Sequence, residues 1–199
     1  SNMGTLDKFI GDAIMAFYGA PYHYDDHALA ACRAAIFMQR RLAEMRTQWK
    51  KEGHQGIYSR FGINTGVAVV GNMGSRERIS YTAMGDAVNL ASRLEGANKY
   101  YGTYTMISES TYLKVKDHVE VRYLDKIKVV GKEQPINVYE LVCEKGNLTK
   151  HQKELFEIYN SGIEHFSQRE WEKARRIFAQ ALKFDKDDGP SKTYHDRCS

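Results

Sequence analysis

The spacing of apolar and polar residues divides the chain into two unlike parts. Up to Glu144, short apolar runs broken by glycine alternate with two longer helical patterns. From Lys150 onward the pattern is helical throughout. Strands mixed with helices predict an α+β fold, with the helices on one face of a sheet. The segment 146–149 is typical of a linker, so we predict domains over residues 1–145 and 146–199.

The first domain begins with a predicted hairpin, in which two strands within 6–17 meet at Gly11-Asp12. A broad apolar stripe predicts a helix from His27 to about Lys51, with Asp25 or Asp26 available as its cap. We expect Asp86 to cap a second long helix. The other predicted elements are strands at 59–70, 79–82, 103–107, 119–130 and 136–142, a glycine-rich loop at 71–78 and a short helix from 108.

The second domain is predicted to be two amphipathic helices, over 150–168 and 170–184. Its small and aromatic residues have the spacing of a tetratricopeptide-like hairpin, although Lys186 stands where proline is usual. A single repeat cannot bury its own apolar face, so we expect it to pack on the first domain or on a partner protein. A plain helical hairpin explains the pattern equally well. The residues are Gly162, Phe166, Trp171, Ala174, Phe178 and Ala181.

Composition narrows the possible partners. Apolar residues make up 42% of the chain and charged residues 27%, with a net charge of +4. That charge is too small to indicate nucleic acid, but it suits a polyphosphate ligand. The three cysteines have no metal-binding spacing and favour a reducing, cytoplasmic compartment. No apolar run is long enough to span a membrane, so any membrane attachment of a parent protein would lie outside this chain.

Several residues are candidates for chemistry, and each has an ordinary structural explanation. Asn89 and Arg93 are four residues apart and share one helix face, where both could simply be solvated. Asp12 lies at a hairpin tip, where it can bind Mg²⁺ or hold its own turn. Lys8 can be a solvated strand lysine, and Lys132 can either reach a phosphate or belong to a turn.

The loop at 71–74 lacks the lysine of a P-loop, and the spacing of Tyr22, His23, Tyr24 and His27 is irregular for a metal site.

Five motifs in order resemble the catalytic domain of class III nucleotidyl cyclases. Any one of them is weak, but five in order over about 5–141 are specific. The resemblance implies a ferredoxin-like cyclase domain that makes a cyclic nucleotide from a nucleoside triphosphate and dimerises head to tail. The motifs are Asp7-Lys-Phe-Ile-Gly-Asp-Ala-Ile-Met-Ala-Phe17, Phe61-Gly-Ile-Asn-Thr-Gly66, Gly71-Asn-Met-Gly-Ser75, Tyr81-Thr-Ala-Met-Gly-Asp-Ala-Val-Asn-Leu-Ala-Ser-Arg93 and Val130-Gly-Lys132.

The resemblance implies roles for residues at matching positions. Asn89 matches the residue that orients the ribose, and Arg93 matches the guanidinium that meets charge developing on the α-phosphate. Asp12 matches the second metal-binding aspartate, which implies Mg²⁺ or Mn²⁺, with two ions per site in the family. Lys132 matches the lysine on the terminal phosphates.

Lys8 and Thr82 match the pair that recognises the purine. In the family, lysine donates to adenine N1 and the hydroxyl accepts from the exocyclic amine. Guanine-specific relatives usually carry glutamate and cysteine at these positions. The resemblance therefore favours ATP over GTP as the substrate.

The sequence departs from the family at its start. In the family, a strand with a Phe-x-Asp-type motif carries the first metal-binding aspartate, and two helices follow it. Nothing before Thr5 matches them, so we expect a half-built metal site. We also expect unpaired edges on the strands at 13–17 and 59–70, which would pair with each other or borrow a strand.

The function predicted is adenylate cyclase, which converts ATP to 3′,5′-cyclic AMP and pyrophosphate in cyclic nucleotide signalling. We expect the 199-residue chain itself to be weak or inactive, because one metal-binding carboxylate is missing. The alternative is a non-catalytic module that binds nucleotide or mediates dimerisation and regulation.

Overall fold

The structure, a computed structural model, describes residues 3–75, 79–128 and 135–199. The strands within these ranges are β1 (Gly4–Ile10), β2 (Ala13–Tyr18), β3 (Phe61–Ile63), β4 (Val69–Gly74), β5 (Ile79–Met84), β6 (Thr105–Ser108), β7 (Val119–Ile127) and β8 (Ile136–Glu144). The helices are α1 (His27–Lys51), α2 (Asp86–Tyr101), α3 (Glu109–Val115), α4 (Lys150–Ser167), α5 (Trp171–Phe184) and α6 (Gly189–Arg197). The mixed α+β class is confirmed, as are the first hairpin and the bounds of α1.

A four-stranded sheet in the order β3-β6-β8-β7 forms the centre of the N-terminal part of the chain. β3 and β6 are parallel, whereas β6 with β8 and β7 with β8 are antiparallel. Antiparallel hairpins β1-β2 and β4-β5 stand apart from this sheet. The parallel pair needs a long crossover, which β4, β5 and α2 supply.

Helices cover both faces of the sheet, so the expectation of one covered face is wrong. Met106 of β6 packs with Leu90 and Leu94 of α2. The next residue, Ile107, packs with Leu29 and Cys32 of α1. Successive strand residues point to opposite faces, so the two neighbouring apolar side chains require two separate layers.

The contact between β3 and α2 depends on a glycine. A Cβ on Gly62 would lie 2.0 Å from the carbonyl oxygen of Ala91 and 2.3 Å from the amide nitrogen of Glu95. The side chain of Asn98 fixes the same contact, because it is fully buried and its Nδ2 donates to the Phe61 carbonyl oxygen at 3.0 Å. β3 therefore lies directly against the backbone of α2.

We expect Gly62→Ala to lower the free energy of unfolding by about 1–3 kcal/mol, because the backbone atoms it meets cannot move aside without shifting α2. Gly96→Ala on α2 is the matched control, since nothing lies within 4 Å of its added methyl group. That control should gain about 0.5–1 kcal/mol from helix propensity. Urea unfolding of both variants measures the difference. Equal stabilities would contradict the close approach.

The predicted strand at 59–70 is wrong as a single element. The structure has β3 at Phe61–Ile63 and β4 at Val69–Gly74, so the predicted glycine-rich loop is in part strand. Between them, the Asn64 amide donates to the Ala87 carbonyl oxygen at 3.0 Å, which ties this segment to α2. A run of β-branched residues predicts extended structure. It does not show where one strand ends and a second strand, paired with a different partner, begins.

The predicted partnership between 13–17 and 59–70 is also absent within the described ranges. β2 pairs with β1, and β3 pairs with β6.

The predicted capping of α2 by Asp86 is wrong as well. Gly85 is the N-cap and Asp86 is the first helical residue, without a side-chain capping hydrogen bond. Asp26 is the N-cap of α1 and likewise makes no such bond.

The C-terminal part contains the two predicted helices, α4 and α5, and also α6, which the helical pattern of the sequence did not predict. Asp188 caps α6 by accepting from the backbone N–H of Ser191 at 3.0 Å. Tyr194 donates its hydroxyl to the Leu124 carbonyl oxygen at 2.7 Å. α6 thus contacts strand β7 directly.

α6 also lies against the end of α2. A Cβ on Gly189 would be 2.3 Å from the carbonyl oxygen of Tyr101, so the two backbones are in close contact. Arg197 donates to Asp125 at 2.7 Å, and Asp125 also accepts from the Tyr101 hydroxyl at 2.7 Å. Burial and the Asp125 carboxylate together raise the pKa of Tyr101. In the part of the chain that the structure describes, no helix is long and apolar enough to cross a membrane.

Candidate active site

The two hairpins carry three of the predicted site residues. Lys8 lies on β1, Asp12 is exposed at the tip between β1 and β2, and Thr82 lies on β5. Gly11 has a φ of 62°, a conformation that glycine adopts readily, and this allows the tight turn before Asp12. The rings of Phe17 and Tyr81, with centroids 5.9 Å apart, bring the hairpins together.

A buried carboxylate links Lys8 to Thr82. The side chain of Asp7 is only 1% exposed, and its Oδ1 lies 3.5 Å from the ammonium of Lys8. Its Oδ2 accepts from the Thr82 hydroxyl at 2.5 Å and from the Ala83 N–H at 3.4 Å. The two residues predicted to recognise the purine therefore converge on one acidic group.

Asn89 and Arg93 lie on the exposed side of α2, as their spacing predicts. The opposite side of the helix is held in place by buried Leu90 and Leu94. Gly85, with a φ of 136°, turns the chain from β5 directly into this helix. Thr82 and Asn89 are consequently joined by one short, sharply turned segment.

The structure brings only part of the predicted site together. Lys8 and Thr82 meet around Asp7, whereas the side chains of Asp12 and Asn89 make no hydrogen bond to any residue within 3–75, 79–128 or 135–199. Lys132 lies outside the described residues.

The donor set for a metal ion is small. Among the described residues, no group of three or more His, Cys, Asp or Glu side chains is placed to hold a metal. Asp12 offers one exposed carboxylate. Mg²⁺ is commonly bound by one or two carboxylates together with substrate phosphates, so Asp12 fits a metal shared with a triphosphate and not a metal held by protein alone.

Sequence reasoning missed Asp7. Regular alternation places the side chains of Asp7 and Lys8 on opposite faces of a strand. The sequence therefore gives no reason to assign Asp7 to the same site as Lys8. The register of β1 against β2 shifts between Leu6 and Lys8, so Asp7 is an extra residue in the strand. Such a bulge redirects side chains, and its position is not visible in the sequence.

Comparison with known proteins identifies the family. Residues 7–142 match the adenylate and guanylate cyclase catalytic domain, and the chain belongs to this family. It is 43% identical over 139 residues to adenylate cyclase 1 of Rhizobium meliloti, covering 70% of this chain and 21% of that protein. The chain spans between 9% and 28% of the length of the first curated relatives that it matches.

Solved structures agree with the fold. The adenylyl cyclase CyaB of P. aeruginosa superposes with a TM-score of 0.65 at 37% identity, covering 74% of this chain and 76% of that one. The guanylyl cyclase Cya2 superposes with a TM-score of 0.64 at 36% identity, covering 74% and 75%. Similar structures thus include enzymes named for both purines, and the choice of purine must be argued from this chain's own residues.

Proposed function

We propose that this chain is the catalytic part of an adenylate cyclase, which converts ATP to 3′,5′-cyclic AMP and pyrophosphate. The observation that carries the proposal is the convergence of Lys8 and Thr82 on buried Asp7. A lysine ammonium is a donor suited to adenine N1, and a hydroxyl oxygen can accept from the exocyclic amine. Guanine presents the opposite pattern at both positions.

In the proposed reaction, the ribose 3′-oxygen forms a bond to the α-phosphorus, and the bond from that phosphorus to the bridging β-phosphate oxygen breaks. Asn89 holds the ribose so that the hydroxyl faces the phosphorus. Arg93 donates to the α-phosphate oxygens as negative charge accumulates there. Lys132 binds the terminal phosphates. A divalent cation at Asp12, when bound, assists loss of the hydroxyl proton and neutralises the polyphosphate.

We further propose that the site is completed by a second copy of the chain in a head-to-tail homodimer. The two hairpins expose large apolar side chains, which include Phe9 at 68%, Val69 at 66% and Ile79 at 64%. Exposed apolar surface of this kind is typical of a protein–protein interface. Dimerisation would bury it and bring α2 of one copy to the hairpins of the other.

The domain boundary near 145 and the role of the C-terminal helices are also proposals. Contacts of α6 with Leu124 and Tyr101 support a unit docked on the cyclase domain, whether or not α4 and α5 form a tetratricopeptide-like hairpin. All three cysteines are free, which is compatible with a cytoplasmic location.

A cyclase assay of the protein tests the function. With Mn²⁺ or Mg²⁺, we expect cyclic AMP from ATP and much less cyclic GMP from GTP. Asp12→Asn should abolish most of this activity, and Asp117→Asn, at an acidic residue away from the site, should not.

A second candidate is a module that binds nucleotide without catalysis. The observation in its favour is that, among the described residues, no group of three or more His, Cys, Asp or Glu side chains is placed to hold a metal. ATP binding without formation of either cyclic nucleotide would support this candidate and contradict the first. An assay of the 199-residue chain with Mn²⁺ tests whether one carboxylate is enough.

A further inference from the structure

Asp7 is the extra residue of a bulge in β1, a position that does not exist in a regular strand. β1 loses register with β2 at this residue, so Asp7 faces no partner residue across the hairpin. The neighbouring side chains of Leu6 and Phe9 are 57% and 68% exposed, whereas the carboxylate of Asp7 is 1% exposed. The bulge turns this one acidic group inward, toward β5.

The burial of this carboxylate is only partly compensated. Oδ2 accepts from Thr82 and from the Ala83 N–H, but Oδ1 has no hydrogen-bond partner among the described residues. The ammonium of Lys8, 3.5 Å from Oδ1, supplies its countercharge. An incompletely satisfied buried carboxylate destabilises a fold, so the arrangement calls for a functional explanation.

The hydrogen bond to Thr82 fixes the direction of a proton. A threonine hydroxyl has one proton and two lone pairs, and an ionised carboxylate only accepts. At 2.5 Å, the Thr82–Asp7 contact has the length of a charge-assisted O–H···O⁻ bond. The proton of Thr82 therefore lies toward Asp7, and the oxygen of Thr82 presents only lone pairs to a ligand.

We propose that Asp7 is a positioning residue that sets purine selectivity by keeping Thr82 as a hydrogen-bond acceptor beside the Lys8 ammonium. This inference rests on the proposed function, in which Lys8 and Thr82 recognise the purine. The adenine amine donates to the Thr82 oxygen. The guanine O6 meets an acceptor with no proton between them, while guanine N1–H faces the Lys8 ammonium.

Replacing Asp7 should release the Thr82 proton. In Asp7→Ala the hydroxyl is free to rotate and can donate to guanine O6. In Asp7→Asn, a variant of the same size, the amide nitrogen can donate to Thr82 and turn its proton toward the ligand. Both variants should reduce the preference for ATP over GTP by about tenfold, the effect of one hydrogen bond.

The test measures ATP and GTP affinities of the 199-residue chain, by displacement of a fluorescent adenine nucleotide, for wild type, Asp7→Ala and Asp7→Asn. Asp125→Asn is the matched control. It alters a hydrogen-bonded carboxylate away from the site, so it should change stability without changing the ratio of affinities. A ratio within twofold of wild type in both Asp7 variants would overturn the proposal.

A double-mutant cycle with Thr82→Val separates positioning from general damage. If Asp7 acts through Thr82, its replacement should change selectivity little in the Thr82→Val background; additive effects would also overturn the proposal.

Lys8→Glu combined with Thr82→Cys tests the underlying site. If that pair shifts preference toward GTP and the Asp7 variants do not, Asp7 alone has been misassigned. If it shifts nothing, the proposed purine site is wrong, and this inference is overturned with it.

Discussion

Arg93→Ala should lower kcat for cyclic AMP formation by about 10²–10³-fold, with little change in KM. The physical reason is that the charge on the α-phosphate oxygens grows only as the new bond forms. A guanidinium aimed at those oxygens stabilises the transition state more than the bound ATP. Arg93 is exposed on α2, and urea unfolding of the variant beside the kinetic assay checks that it remains folded.

Two variants accompany this measurement. Arg93→Lys keeps the charge but loses the planar fork of donors, and it should recover only part of kcat. Ser92→Ala alters an exposed neighbour on the same helix and should leave kcat unchanged. If Arg93→Ala raises KM while kcat stays constant, Arg93 binds the ground state and has no special role in the transition state.

Arg122→Ala should destabilise the protein by about 3–5 kcal/mol. The side chain is 5% exposed and donates to Glu140 at 2.6 and 2.9 Å and to Asp188 at 2.7 Å. Burial lowers the pKa of Arg122, but the two carboxylates outweigh it and raise that pKa above its ordinary value. Removing the guanidinium leaves Asp188, itself 5% exposed, as a buried charge without its countercharge.

The expected fall in melting temperature is roughly 6–20 °C for a chain of this length. Arg41→Ala on α1 is the matched control, because its partner Glu44 is exposed and such a pair contributes at most about 1 kcal/mol. Arg122→Met together with Asp188→Asn should recover part of the loss, since the more deeply buried of the two carboxylates is then replaced by a neutral group. Equal melting temperatures for Arg122→Ala and Arg41→Ala would contradict the argument.

Arg122 also shows how the two parts of the chain are connected. Its guanidinium lies over the rings of Phe156 and Tyr159 of α4, 4.8 and 5.0 Å from their centroids. The same group reaches Asp188, which caps α6. A single strand residue of the cyclase domain therefore contacts the first and last C-terminal helices.

The missed helix α6 had a signal in the sequence. Asp188 precedes Gly189-Pro190, and an aspartate N-cap followed by proline in the first turn is a common helix start. The helix has only nine residues and weak amphipathicity, so periodicity alone did not detect it. By contrast, α1 was predicted with its observed bounds, because 25 residues of regular pattern leave little ambiguity.

The sequence by itself determined the α+β class, the long helices, the first hairpin and the ordered motifs that placed Lys8, Asp12, Thr82, Asn89 and Arg93 as candidates. These features are encoded in local periodicity, turn residues and residue order. Only the tertiary structure decided that helices cover both faces of the sheet and that Asp7 lies between Lys8 and Thr82. Strand partners, bulges and buried hydrogen bonds depend on residues distant in the chain, here 75 positions apart for Asp7 and Thr82.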